Sequence, residues 1–125
     1  MKNIYLATPV NGRKEKTLRQ KMKAAYQRIN EMATYIHESY PDANLMSSFD
    51  IPAVMRYINI LDETPVTEPF IMGLCTQFVM ECDMIVLDDG WECSQGCTVE
   101  RFVAMQYGKQ VKTINSFKLA EKLKD

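Results

Sequence analysis

The chain reads as an α/β domain of the three-layer flavodoxin-like type, with a parallel sheet and helices on both faces. Three observations predict it. Short apolar runs centred on Ile4-Tyr5-Leu6 and on Met84-Ile85-Val86-Leu87 have the unbroken character of strands buried on both sides. Longer stretches carry apolar residues every three or four positions, the spacing of one helix face. The two patterns alternate along the chain, the order that yields parallel strands joined by crossover helices.

Each element follows from its own residues. Asn3-Ile4-Tyr5-Leu6-Ala7-Thr8, bounded by Pro9 and Gly12, is the first strand. Over 14–39, Leu18, Met22, Ala25, Ile29, Met32 and Ile36 form one apolar stripe down a long helix, and Pro41 fits its stop. A second strand is expected at 45–49. The stretch 50–64, interrupted by Pro52, Asn59 and Asp62, reads as a loop with a short helix. A helix follows over 65–81, with Thr67 as its N-cap and Pro69 in its first turn, where a missing N–H costs little. Ile71, Leu74 and Phe78, with Met72 and Val79, supply its apolar face. Asp83-Met84-Ile85-Val86-Leu87-Asp88 is the clearest strand. A helix over 98–107 ends at Gly108, a strand covers 111–114, and 117–123 is a terminal helix. There is no internal repeat, low-complexity tract or linker, so 1–125 is read as one domain.

Composition narrows the function. With 125 residues, 46% apolar and 25% charged, the chain has the make-up of an ordinary globular protein that needs no staples. A formal charge of -1 gives no reason to expect nucleic acid or membrane partners. No apolar run nears the roughly 18 residues of a membrane helix, and Met1-Lys2-Asn3 opens no signal-peptide pattern, so the cytoplasm is the expected compartment. Cys75, Cys82, Cys93 and Cys97 are expected as free thiols. Lacking a C-x-x-C pair, and with His37 the single histidine, they do not predict a metal site, and no cofactor is implied. Arg13, Lys14, Lys16, Arg19, Lys21, Lys23 and Arg28 make the start of the first helix basic. Without interleaved aromatics this reads as a solvated face. Met22, Met32, Met72, Met80, Met84 and Met105 are read as packing residues.

Ligands of such sheets bind beyond the carboxyl ends of the strands. Two loops are expected at that edge. One is Thr8-Pro9-Val10-Asn11-Gly12-Arg13. The other is Asp88-Asp89-Gly90-Trp91-Glu92-Cys93-Ser94-Gln95-Gly96-Cys97, which leads into the helix expected from Thr98. Free N–H groups at that helix start favour an anion or a sugar hydroxyl, and Glu100 falls in its expected first turn, near the cleft.

The window Gly90-Trp91-Glu92-Cys93-Ser94-Gln95-Gly96-Cys97-Thr98-Val99-Glu100 resembles the G-W-E-x-S-x-G-x-x-x-E signature of a small, largely uncharacterised, DUF4406-like branch of the nucleoside 2-deoxyribosyltransferase-like proteins. Ile4-Tyr5-Leu6-Ala7-Thr8-Pro9-Val10-Asn11-Gly12 is similar to the same branch's Y-I-S-G-P-M-T-G opening, and Glu81-Cys82-Asp83-Met84-Ile85-Val86-Leu87 to its strand entry. The resemblance covers both ends of the chain, and 43–68 carries no matching motif.

The resemblance implies chemistry at a glycosidic carbon. In such proteins a glutamate attacks C1' of a 2'-deoxynucleoside or its 5'-phosphate, expels the base, and leaves a deoxyribosyl-enzyme for a second base or water. Glu100 matches that glutamate, and a carboxylate nucleophile splits one displacement into two easier ones. Tyr5 matches the tyrosine that orients it. Ser94 matches the residue at the sugar 5' end. Arg13, with Asn11 and Gly12 in the first loop, resembles a phosphate-contacting Gly-Arg. Gly90 and Gly96 frame the second loop, and Trp91 is read as a cover for the base. Where the family commonly carries an Asp in the preceding helix this chain has Cys75, a poor substitute in hydrogen bonding, so Asp88 and Asp89 are the candidates for proton handling. Relatives complete their sites from a neighbouring subunit, so a homo-oligomer is implied, with Asn115 or Ser116, in the expected loop after the last strand, reaching across. The alternatives are a non-catalytic nucleotide-binding or sensing module, for which Cys75 speaks, and a structural interaction domain.

Overall fold

The computed structural model describes residues 2–10, 13–50 and 68–124. The element order is β1 (Asn3–Ala7), α1 (Leu18–Ser39), β2 (Asn44–Met46), a 3-10 turn (Ser48–Asp50), α2 (Glu68–Glu81), β3 (Met84–Leu87), a second 3-10 turn (Trp91–Cys93), α3 (Gln95–Gln106), β4 (Gln110–Thr113) and α4 (Ile114–Lys124). The four strands form one sheet in the order β2-β1-β3-β4. All three pairings are parallel, with Tyr5 opposite Met46 on one side and opposite Ile85 on the other. Helices α1 and α4 pack together on one face, α2 and α3 on the other. This is the expected three-layer flavodoxin-like arrangement. Among the described residues no helix is long and apolar enough to cross a membrane.

The two central strands, β1 and β3, run through the core, whereas β2 and β4 at the sides are only partly covered. All four residues of β3 are buried, and Ile4 to Ala7 of β1 are buried with them. In α1 the stripe of Met22, Ala25, Ile29, Met32 and Ile36 is buried, while Leu18 in the first turn stays exposed. The helix starts later than the apolar spacing suggests, because Thr17 and Gln20 cap it reciprocally. The Gln20 N–H donates to Thr17 Oγ1 at 3.1 Å and the Thr17 N–H to Gln20 Oε1 at 3.2 Å. Such a cap contributes about 1 kcal/mol and sets the first turn more firmly than the lysines before it.

Other boundaries differ for equally local reasons. The second strand stops at Met46. There the Asp50 carboxylate accepts from the Ser47 N–H at 2.7 Å and closes a 3-10 turn. Helix α3 begins at Gln95 rather than Thr98, because Ser94 Oγ accepts from the Cys97 N–H at 3.2 Å and acts as N-cap. Glu100 therefore sits in the second turn, on the inward face with Cys97 and Ala104. No loop follows β4. The chain turns directly into α4 at the buried Ile114, so Asn115 and Ser116 are helical. Pro69 lies in the first described turn of α2, while Pro65, Thr67 and the segment 51–67 fall outside the described residues. The methionine reading holds for Met22, Met32 and Met84, whereas Met80 and Met105 are exposed on the outer sides of α2 and α3.

Candidate active site

The order β2-β1-β3-β4 reverses direction between β1 and β3, and open parallel sheets form their crevice at such a point. The segments leaving these strands begin at Thr8 and Asp88. They are tied together by Thr8 Oγ1, which donates to Asp88 Oδ2 at 2.7 Å, and by the Asp88 N–H, which donates to the Ala7 carbonyl at 2.9 Å. Successive strand residues point to opposite faces. Tyr5, opposite Ile85, faces the α2–α3 layer, whereas Asp88, in step with Met84 and Val86, faces the α1–α4 layer. The candidate residues thus fall into two clusters separated by the sheet.

Under the α2–α3 layer, the Tyr5 hydroxyl donates to Glu100 Oε2. Both residues are buried. Burial pushes the Glu100 carboxyl up to about 7, against the Tyr5 bond, which acts to lower it. The Tyr5 phenol is raised well above its ordinary value, first by burial and then by the Glu100 charge, so it remains a donor. The Cys75 thiol lies beside the pair. Burial and the Glu100 charge raise it to about 12, while its contact with Tyr5 lowers it. Cys75 is therefore a neutral group where a carboxylate would compete with Glu100 for charge.

Over the α1–α4 layer, Asp88 is clamped by Arg28. Arg28 Nε donates to both carboxylate oxygens at 3.0 Å, and Nη2 donates to Oδ1 at 2.9 Å. Burial by itself would raise Asp88, but the bonds from Arg28, Thr8 and the Asp89 N–H outweigh it and hold the carboxyl below its ordinary value. Arg28 is raised in turn, chiefly by the Asp88 bond. A carboxylate held so firmly as an anion is suited to positioning, not to carrying a proton at neutral pH. Asp89 is exposed. It accepts from Asn115 Nδ2 at 2.8 Å and pairs with Lys118 at 3.6 Å, so Asn115 is engaged within its own chain.

A cleft of about 630 Å³ opens at this edge, lined among the described residues by Pro9, Arg13, Arg28, Asp88, Gly90 and Lys118, with Lys14, Glu15, Asp89 and Cys93. Arg13 is fixed by two neutral acceptors, Nε to the Pro9 carbonyl at 2.8 Å and Nη2 to Thr8 Oγ1 at 3.1 Å. Gly90 has φ +82, the left-handed conformation that glycine adopts freely, and it turns the chain into the 3-10 segment. Trp91 is half-buried and not in the cleft lining; the Arg101 guanidinium lies 5.0 Å from its ring centre. Ser94 and Gly96 are used by the start of α3, Ser94 as its cap and Gly96 beside Met72. Asn11 and Gly12 lie outside the described residues.

The cleft lining includes neither Tyr5 nor Glu100. The buried Cys97 thiol lies close enough to both clusters to feel the charges of each. Burial lifts it to about 12, with Glu100 and Asp88 adding and the Ser94 hydroxyl and Arg13 offsetting. The sequence reading missed Arg28, Thr8, Glu15 and Lys118 as site residues. Arg28 carried a signal: it stands three after Ala25 and four before Met32, so a cation sits on the buried stripe of α1 and requires an acid there.

A family description, domain of unknown function (DUF4406), matches residues 2–113. The chain belongs to this family. No curated protein and no solved structure matches it. The match takes in the candidate residues of this DUF4406 domain from Tyr5 on β1 to Glu100 on α3, and leaves out Asn115, Ser116 and Lys118.

Proposed function

We propose that this DUF4406 domain carries out N-glycosidic bond chemistry on a nucleoside or nucleotide, of the 2-deoxyribosyltransferase or deoxynucleoside 5'-monophosphate N-glycosidase type. The observation that carries the reading is the buried Tyr5–Glu100 pair, a carboxylate oriented by one phenolic donor from the middle of β1. In this reading the Glu100 carboxylate attacks C1', the C1'–N bond breaks, and the departing base takes a proton from water. Water or a second base then cleaves the glycosyl ester and frees Glu100. Arg13 and Ser94 meet the sugar 5' end, Trp91 covers the base, and a second subunit completes the site.

The test is chromatography of free base after incubating wild type and Glu100→Gln with deoxynucleosides and their 5'-monophosphates. Release by wild type alone is the expected result. Release by neither protein overturns the reading. The second reading, a nucleotide-binding module without catalysis, draws on two observations: the neutral Cys75 beside Glu100, and the absence of Glu100 from the lining of the cleft. It predicts a ligand-dependent rise in melting temperature with no base released.

A further inference from the structure

The cleft contains two groups whose bonding is incomplete. Arg13 is held only by uncharged acceptors, and among the described residues no acid pairs with it. The neighbouring Arg28 is paired with Asp88 and Glu31, and Lys118 with Asp89. Among the described residues an anion entering the cleft therefore finds cations without an acid at Arg13 and at the exposed Lys14, and of the two Arg13 is the one pre-aimed by its bonds, with a guanidinium fork suited to phosphate. The second group is Glu15. Its Oε2 is shielded from solvent and has no hydrogen-bond partner among the described residues, and Glu15 lines the same cleft two positions along the chain. A shielded carboxylate oxygen without a donor is unfavourable, so the Glu15 carboxylate gains by turning toward a donor that a ligand brings into the cleft its residue lines.

We propose that Glu15 is a specificity-determining residue of the cleft, accepting a hydrogen bond from a hydroxyl or amino group of a ligand whose phosphate sits on Arg13. This rests on the reading of Arg13 as a phosphate contact and adds the second recognition point. The ligand class is a phosphomonoester rich in donors, such as a nucleoside monophosphate. Glu15 also acts against a bare anion, because its charge repels phosphate and nothing compensates when the ligand brings no donor. Thr8, Asp88 and Arg28 are positioning residues in this scheme. They form a chain of bonds that fixes the Arg13 fork at the mouth of the cleft.

The experiment is calorimetric titration of the full chain with the four deoxynucleoside 5'-monophosphates and with inorganic phosphate, using wild type, Arg13→Ala, Glu15→Ala and Glu15→Gln. Arg13→Ala should weaken both ligand types. Glu15→Ala should weaken the best nucleotide about tenfold yet tighten inorganic phosphate by about twofold. Glu15→Gln keeps a carbonyl acceptor and should recover most of the nucleotide affinity. A loss of fold would move both ligands the same way, so the opposed shifts are the signature. The proposal is overturned if Glu15→Ala shifts both ligands in one direction, if it leaves the nucleotide unchanged, or if wild type binds no monophosphate. Base release from unphosphorylated deoxynucleosides, lost in Glu100→Gln, would keep the glycosidic reading alive in each of those cases.

Discussion

The Tyr5 hydroxyl on β1 donates to the Glu100 carboxylate on α3, joining a strand and a helix across 95 positions of the chain. Neither side chain explains the other's burial by packing alone. A carboxyl placed this deep needs a donor, and a phenol placed this deep needs an acceptor. The bond satisfies both and locks α3 against the sheet.

Removing the phenol oxygen tests this directly. Tyr5→Phe keeps the ring and deletes the bond, so the Glu100 carboxyl should rise further above about 7, since the Tyr5 bond is what lowers it. The stability cost should be about 2 kcal/mol at pH 8, where the bond is to a charged group, and about 1 kcal/mol at pH 5, where it is to a neutral one. Urea unfolding at the two pH values measures both. A larger cost at pH 5 than at pH 8 contradicts the assignment.

Glu100 also gives the fold a pH dependence of definite sign. Its folded value of about 7 lies above the ordinary 4.5, so between these values the folded state holds the proton more tightly than the unfolded state. Stability must therefore fall as pH rises through that window, by about 3 kcal/mol for this one group. Glu100→Gln cannot ionise and should lose that fall. The difference in unfolding free energy between wild type and variant, followed from pH 5 to pH 8, should tilt toward the variant. A flat difference would falsify the burial argument.

Much of this was legible in the sequence, and the reason is local. The strands at β1 and β3 are unbroken apolar runs, and the stripe of α1 is regular over five buried positions from Met22 to Ile36, so both survive any detail of packing. Boundaries were less legible because single side chains decide them. Ser94 starts α3 one turn earlier than Thr98 would, and that shift moves Glu100 from a loop-facing first turn to the buried face of the second. The division of the site into two clusters was not legible at all. It depends on the parity of Tyr5 and Asp88 in neighbouring strands, which only the register between β1 and β3 determines.

Asp88 should behave in the opposite sense to Glu100. Its carboxyl is held below the ordinary 3.8 by Arg28, Thr8 and the Asp89 N–H, despite a burial effect that pushes the other way. Its contribution to stability is thus fully present above the ordinary carboxylate range and is lost only as pH falls through its lowered folded value. Asp88→Asn leaves Arg28 without its main partner and should cost about 3 kcal/mol at pH 7. Thermal melts should show that penalty unchanged between pH 7 and pH 5 and shrinking only in stronger acid.

Gly90 and Gly108 form an internal control for strain against function. Both have positive φ, +82 and +69, and an added Cβ would meet only Pro9 Cγ at 3.9 Å in the first case and nothing within 4 Å in the second. Alanine at either position should therefore cost about 1 kcal/mol, purely from forcing a left-handed backbone on an L side chain. The positions differ in what they serve. Gly90 lines the cleft, whereas Gly108 ends α3 on the way to β4. If the cleft is the binding site, Gly90→Ala should weaken nucleoside monophosphate binding by more than its melting shift explains, and Gly108→Ala should not. Equal effects of the two variants on binding would mean that the turn at Gly90 serves the fold alone.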